Sequence, residues 1–190
     1  MTDQLGLFGG PRLPDGFRYQ PDLISPAEER ELLDHIRDLP FKAFEFQGYT
    51  GKRRVVSYGW KYDFNERRLE PREDIPEFLL PLREKAARFA EIDAADLQQA
   101  LVTEYDVGAP IGWHKDKAVF GDVVGISLLS AVPFRLRRPS GAGWERVTIT
   151  AEARSVYLLR GASRTEWEHS IPPVEQLRYS VTFRNFAVQP

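Results

Sequence analysis

His114 and Asp116 stand two residues apart in the stretch GWHKDKAVF, Gly112 to Phe120. On an extended chain, residues i and i+2 point to the same face. An imidazole and a carboxylate then converge on one point, and Lys115 is turned away from it. A third donor is needed to hold a metal. Of the three histidines in the chain, His35 falls in a predicted helix, where packing or surface exposure accounts for it. His169, in EWEHSIPP, is the remaining candidate. Two histidines and one carboxylate suit a non-haem Fe(II) centre with neighbouring coordination positions left open. The chain has no cysteine, so zinc-thiolate sites, iron–sulfur clusters, disulfides and thiol catalysis are all excluded. Taken alone, His-x-Asp with a distant histidine serves an ordinary polar turn as readily as a metal site.

A second constellation follows nine residues after His169, in RYSVTFR. Strand alternation puts Arg178, Ser180, Thr182 and Arg184 on one face and Tyr179, Val181 and Phe183 on the other. If the polar face looks into a barrel, two guanidinium groups need anionic partners, because an unpaired buried charge is costly. Arginine binds carboxylates through two parallel hydrogen bonds, so a small dicarboxylate bound beside the metal answers that need. The competing reading is a solvated edge strand.

These residues must be positioned by a fold that 190 residues can build. That length fits one domain, and 42% hydrophobic residues can supply its core. Residues 1–21 read as a flexible arm and 22–190 as the domain. SPAEERELLDHIRDL predicts a helix, with Ser25 as N-cap, Pro26 at the first position and Glu28 closing a capping box. PEFLLPLREKAARFAEI predicts a second. Phe41 to Trp60 reads as one or two strands turning at Gly48 and Gly51. After Ala94, short strand-like runs alternate with Gly, Pro, Asp and Ser turns, which points to a sandwich or barrel. The expected class is α+β, with helices covering one face of a β unit.

The net charge of -2 argues against a general nucleic-acid coat and leaves room for local basic patches. There is no signal-peptide pattern and no apolar run of roughly 20 residues. The expectation is a cytoplasmic monomer.

The spaced set resembles the AlkB family of Fe(II)/2-oxoglutarate dioxygenases. The resemblance runs from about Phe41 to Phe186. EYDVGAPIGWHKD carries a tyrosine nine residues before the first ligand. GDVVGISLLS resembles the next strand, LLRGASRTEWEHSIPP the segment of the second histidine, and KRRVVSYGW the substrate lid. This likeness implies a double-stranded β-helix (jelly-roll) core with N-terminal helices and a lid at about residues 41–70. It implies His114, Asp116 and His169 as ligands of Fe(II), with 2-oxoglutarate and O₂ as co-substrates. It places Arg178 on the distal carboxylate of 2-oxoglutarate, helped by the hydroxyl of Tyr105, and Arg184 near the C1 carboxylate. Thr103 and Ser180 stand where many members have asparagine, and both can still donate a hydrogen bond.

The implied activity is oxidative demethylation of N-alkylated nucleobases in DNA or RNA, releasing formaldehyde, succinate and CO₂. The alternatives are hydroxylation of a modified wobble nucleoside in tRNA, or of a protein side chain. A base must leave its stack to reach a buried metal. Tyr49, Tyr58, Trp60 and Tyr62, with Arg53, Lys117 and Arg135, are the candidates to receive it and its flanking phosphates. QLGLF (Gln4, Leu5, Leu7 and Phe8 carrying the pattern) resembles the short motif by which bacterial replication and repair proteins dock on the sliding clamp. A flexible arm presenting apolar residues to a groove fits that use.

Overall fold

The computed structural model describes residues 12–46, 49–63 and 66–187. In chain order the elements are β1 (Phe17–Gln20), α1 (Pro26–Ile36), β2 (Lys42–Phe46), β3 (Tyr49–Tyr58), β4 (Trp60–Asp63), β5 (Arg68–Pro71) and α2 (Leu80–Ala90). Then come β6 (Gln99–Tyr105), β7 (Ile111–His114), β8 (Phe120–Leu128), β9 (Val132–Ser140), β10 (Gly143–Ala151) and β11 (Val156–Leu159). The short helix α3 (Ala162–Thr165), β12 (Glu168–Ile171) and β13 (Arg178–Phe186) follow as the last elements among the described residues.

A major sheet has the order β1-β11-β8-β13-β6-β3-β2, and a minor sheet the order β10-β9-β12-β7. The strand pairs are antiparallel. Two cores result. Leu32, Leu33 and Ile36 of α1 and Leu82, Ala86 and Phe89 of α2 pack on Val102, Ile126, Val181 and Phe183, on the outer face of the major sheet. Phe17, Val123, Tyr157 and Leu159 meet Phe134, Leu136, Val147 and Ile171 between the sheets. Each Val, Leu, Ile or Phe among them, fully buried, contributes about 1.5–3 kcal/mol. The jelly-roll expectation agrees with this two-sheet, largely antiparallel architecture.

The local expectations for the first helix hold. Ser25 Oγ accepts from the Glu28 backbone, and the Glu28 carboxylate accepts from the Ser25 N–H at 2.8 Å. His35 stacks on Phe78, a packing role. Two expectations need correction. The arm does not extend to residue 21, because Phe17–Gln20 pair with Val156–Leu159 and Phe17 is buried between the sheets. Gly51 is not a turn residue: it lies within β3, whose partner is β2. Residues 41–70, the segment expected as a lid, hold two separate pieces. β2 and β3 extend the major sheet, whereas β4 and β5 form a separate two-stranded hairpin. Gly48 and the QLGLF motif lie outside the described residues.

Gly59 joins β3 to β4. Its φ of +72° favours glycine, and a Cβ there would run into the Gln98 carbonyl. Its N–H bonds to the Glu73 carbonyl and its carbonyl accepts from Arg72, which ties the hairpin down at both sides of its base.

Candidate active site

β7 and β12 pair with His114 directly opposite His169, which sets the two imidazoles 4.2 Å apart between ring centroids. Asp116 lies just beyond the end of β7. Its Oδ1 is 3.6 Å from His114 Nε2 and 3.8 Å from His169 Nε2. One donor atom from each of the three residues falls within 4.8 Å of the others. Lys115 points away, as alternation requires, and donates to the Thr165 carbonyl at 2.9 Å.

The donors are prepared for a cation. His114 Nδ1 lies 2.9 Å from the Gly112 carbonyl, an arrangement that leaves Nε2 as the ligating nitrogen. Burial, then the neighbouring His114, pushes His169 down from 6.5 to about 3, so its ring stays neutral near physiological pH. Burial alone would raise the carboxyl of Asp116. The positive charge of Arg184, helped by the two histidines, outweighs it and holds Asp116 well below the usual carboxylate range. Arg184 Nε takes Asp116 Oδ2 at 2.6 Å, which leaves Oδ1 facing the histidines. A metal ion meets two neutral imidazoles and one carboxylate, already deprotonated.

Strand β13 behaves as its alternation predicts. Arg178, Ser180, Thr182 and Arg184 line a cavity of about 1120 Å³ that ends at the triad, while Tyr179, Val181 and Phe183 join the helix-side core. Arg178 is 1% exposed, and its Nε donates to Ser127 Oγ at 3.0 Å. Its Cζ sits 4.8 Å from the centre of the Tyr105 ring, and its Nη1 is buried with no partner. An orphaned guanidinium nitrogen aimed into a cavity beside a metal-ligand triad is what a bound carboxylate would satisfy. Thr103, Ser180 and Thr182 add hydroxyls to the same wall. The residues present therefore fit Fe(II) and a dicarboxylate.

The remaining candidates divide. Tyr62 and Lys117 meet at the cavity, with Lys117 Nζ 5.5 Å from the Tyr62 ring centre. Arg53 lines it too, its Cζ 3.9 Å from the Phe44 ring centre. Burial draws the Arg53 guanidinium down from its ordinary value. Tyr58 borders the cavity, but its ring belongs to the helix-side core at 5% exposure. Trp60 lies elsewhere, edge-on to Phe186 at 5.8 Å. Arg135 faces outward from the minor sheet, because its neighbours Phe134 and Leu136 take the inner positions. It packs over Trp113 and bonds Ser170. The other basic clusters are largely occupied: Arg54 pairs with Glu104, Arg68 with Glu70, Arg137 with Glu168, and Arg138 with Glu145 and Glu166.

Three site residues were not anticipated from sequence. Gln99 accepts from Arg184 Nη1 at 2.9 Å, Ser127 holds Arg178, and Tyr157 lines the cavity. Gly125 makes room for Tyr157, since a Cβ there would overlap its ring. A buried glycine in the middle of a strand was the available signal.

Comparison with known proteins follows this geometry. A curated protein of Arabidopsis thaliana named alkylated DNA repair protein ALKBH8 homolog is 29% identical over 178 residues, covering 80% of this chain and 49% of its own. The mouse protein named tRNA (carboxymethyluridine(34)-5-O)-methyltransferase ALKBH8 is 26% identical over 168 residues, covering 85% of this chain and 25% of its own. The chain thus spans half or less of the length of these relatives. Among solved structures, that of OsALKBH1 superposes with a TM-score of 0.72 at 16% identity, covering 92% of this chain and 98% of the other. A Trichoplax adhaerens prolyl hydroxylase superposes with a TM-score of 0.66 at 13% identity, over 90% and 84% of the two chains. The family model of the 2OG-Fe(II) oxygenase superfamily matches residues 16–184. The chain therefore belongs to that superfamily, as an AlkB-like 2-oxoglutarate- and Fe(II)-dependent dioxygenase.

Proposed function

We propose that this oxygenase oxidises the N-alkyl group of a nucleobase in DNA or RNA, releasing formaldehyde, succinate and CO₂. The observation that carries the reading is the mouth of the cavity. Tyr62 with Lys117, and Arg53 with Phe44, interleave aromatic and cationic groups around a 1120 Å³ space that ends at His114, Asp116 and His169. Aromatic faces stack an extruded base and cations meet its flanking phosphates. No described helix is long and apolar enough to cross a membrane.

His114, Asp116 and His169 would hold the iron, which when bound supplies O₂ activation coupled to decarboxylation of 2-oxoglutarate. Arg178 would bind the distal carboxylate through its unpartnered Nη1, with Ser127 fixing the guanidinium plane and Tyr105 packed against it. Arg184 holds Asp116 ionised and in place, and would lie near the C1 carboxylate if 2-oxoglutarate binds as the family likeness implies. The apolar walls, Phe134 and Ile171 among them, keep water from the reacting centre.

A second reading, hydroxylation of a modified wobble nucleoside in tRNA, takes its support from the substrate in the mouse relative's name, carboxymethyluridine at position 34 of tRNA; the activity named there is methyl transfer. One experiment separates the two. Methylated oligonucleotides and bulk tRNA are incubated with the enzyme, Fe(II) and 2-oxoglutarate, then digested and analysed by mass. Loss of 1-methyladenine or 3-methylcytosine with formaldehyde release is the expected result. A gain of one oxygen on a tRNA wobble nucleoside instead selects the second reading. Turnover of neither defeats both and turns attention to protein side chains.

The sliding-clamp contact through Gln4, Leu5, Leu7 and Phe8 belongs to the same proposal. Removing residues 1–10 should abolish clamp affinity and leave turnover of free oligonucleotides unchanged. Equal clamp affinity in the truncated chain defeats it.

A further inference from the structure

Asp116 has no strand of its own. β7 ends at His114 and β8 begins at Phe120, so the carboxylate ligand rides on a connecting segment. Loops of this kind sample alternative conformations unless something holds their backbone. Here the holder is α3. Arg164 is 7% exposed, and its guanidinium donates to the connecting segment at Lys117 and to the first two residues of β8. Its Nε donates to the Gly121 carbonyl at 2.9 Å, and its Nη2 to the carbonyls of Lys117 and Phe120 at 2.6 and 2.8 Å. On the other side of Asp116, Lys115 Nζ reaches back to the Thr165 carbonyl at 2.9 Å. The ligand is thus bracketed from both directions by consecutive residues of one short helix. The same segment runs on into β12 and His169 within five residues of Arg164.

Arg164 makes no ion pair among the described residues. Its side-chain hydrogen bonds all go to neutral carbonyls, with Asp116 and Asp122 acting on it only at longer range, and a guanidinium held this way is a costly way to pack a core, which aliphatic residues would fill more cheaply. What only a planar fork can do is bind three carbonyls of one turn at once and fix their relative directions. We infer that Arg164 is a positioning residue: by clamping the carbonyls of Lys117, Phe120 and Gly121 it fixes the backbone that carries Asp116, and so holds the metal triad assembled before any ion binds. The role is independent of which substrate is oxidised.

A cavity of about 370 Å³, lined by Lys115, Asp116, Gly121, Asp122, Arg164 and Thr165 among others, adjoins the guanidinium and provides a route for chemical rescue. The test uses the metal-free full chain. In Arg164→Lys, amide hydrogen exchange at residues 117–121 should accelerate roughly tenfold, while the amides of β6 and β13 keep their protection. Co(II), an optical stand-in for Fe(II), should bind about tenfold more weakly. In Arg164→Gly, low millimolar guanidinium chloride should restore Co(II) binding. The inference is overturned if Arg164→Lys binds Co(II) as the parent does. It is equally overturned if exchange accelerates uniformly across β13, or if guanidinium leaves Arg164→Gly unrestored.

Discussion

The two ends of β13 carry the same side chain in opposite states. At one end Arg184 is engaged on two nitrogens, with Asp116 on Nε and Gln99 on Nη1. At the other, Arg178 is as deeply buried and holds only Ser127, with Nη1 left over. Both sit on one face of one strand, six residues apart, so strand geometry does not distinguish them. Their cross-strand neighbours do. β6 places Gln99 opposite Arg184 and Tyr105 opposite Arg178. An amide satisfies a guanidinium, whereas a phenol ring only packs beneath it. One end is complete without ligand, and the other is completed by one.

If that contrast is right, the substitutions sort by what they disturb. Arg184→Gln leaves Asp116 buried without its cation and should destabilise the metal-free protein by about 3–5 kcal/mol, read from the denaturant midpoint. Arg178→Gln should move the same midpoint by less than about 1 kcal/mol, because it removes a cation that was never fully paired. It should instead weaken 2-oxoglutarate binding by about 2–3 kcal/mol, measured by calorimetry in the presence of Mn(II). A collapse in stability for Arg178→Gln, with 2-oxoglutarate affinity intact, would reverse the assignment of the two ends.

The ends also separate by pH. His169, at the Arg184 end, has its folded value lowered from 6.5 to about 3. Above pH 6.5 neither folded nor unfolded chain protonates it, and nothing changes. As pH falls below 6.5, the unfolded chain takes up a proton that the folded one refuses, so stability declines. At pH 5 the loss should reach about 2 kcal/mol. Asp116, lowered in the folded state, keeps its contribution throughout this window and loses it only below its unfolded value of 3.8. In the metal-free protein, His169→Gln should flatten the stability profile between pH 7 and 5, and an unchanged slope would contradict the buried neutral histidine. Smallest of all, Gln99→Leu strips one acceptor from Arg184 and should cost about 1 kcal/mol, with no effect on 2-oxoglutarate affinity.

Much of this was legible in the sequence where the information is local. The capping box of α1, the alternation of β13 and the outward turn of Lys115 each depend on spacings of two or three residues. The His114, Asp116 and His169 cluster that the structure brings together was legible once the family likeness joined His169 to His114. Gln99, Ser127 and Arg164 were not, because their roles depend on strand pairing and helix docking between segments far apart in sequence, and no local period encodes those. β1 was missed because four residues set among prolines and glycines are too few to show alternation. Trp60 and Arg135 were placed by residue type, and the fold turned one toward Phe186 and the other out of the minor sheet.

β13 is the final strand in chain order, yet it occupies the middle of the major sheet, between β8 and β6. During synthesis those two strands must wait with unpaired edges until residues 178–186 emerge, and such long-range closure makes folding slow. Both arginines arrive in that closing step. A nascent chain therefore cannot assemble an oxidising centre with its co-substrate anchor before the sheet itself is shut, and the reactive chemistry is withheld from every partly made molecule.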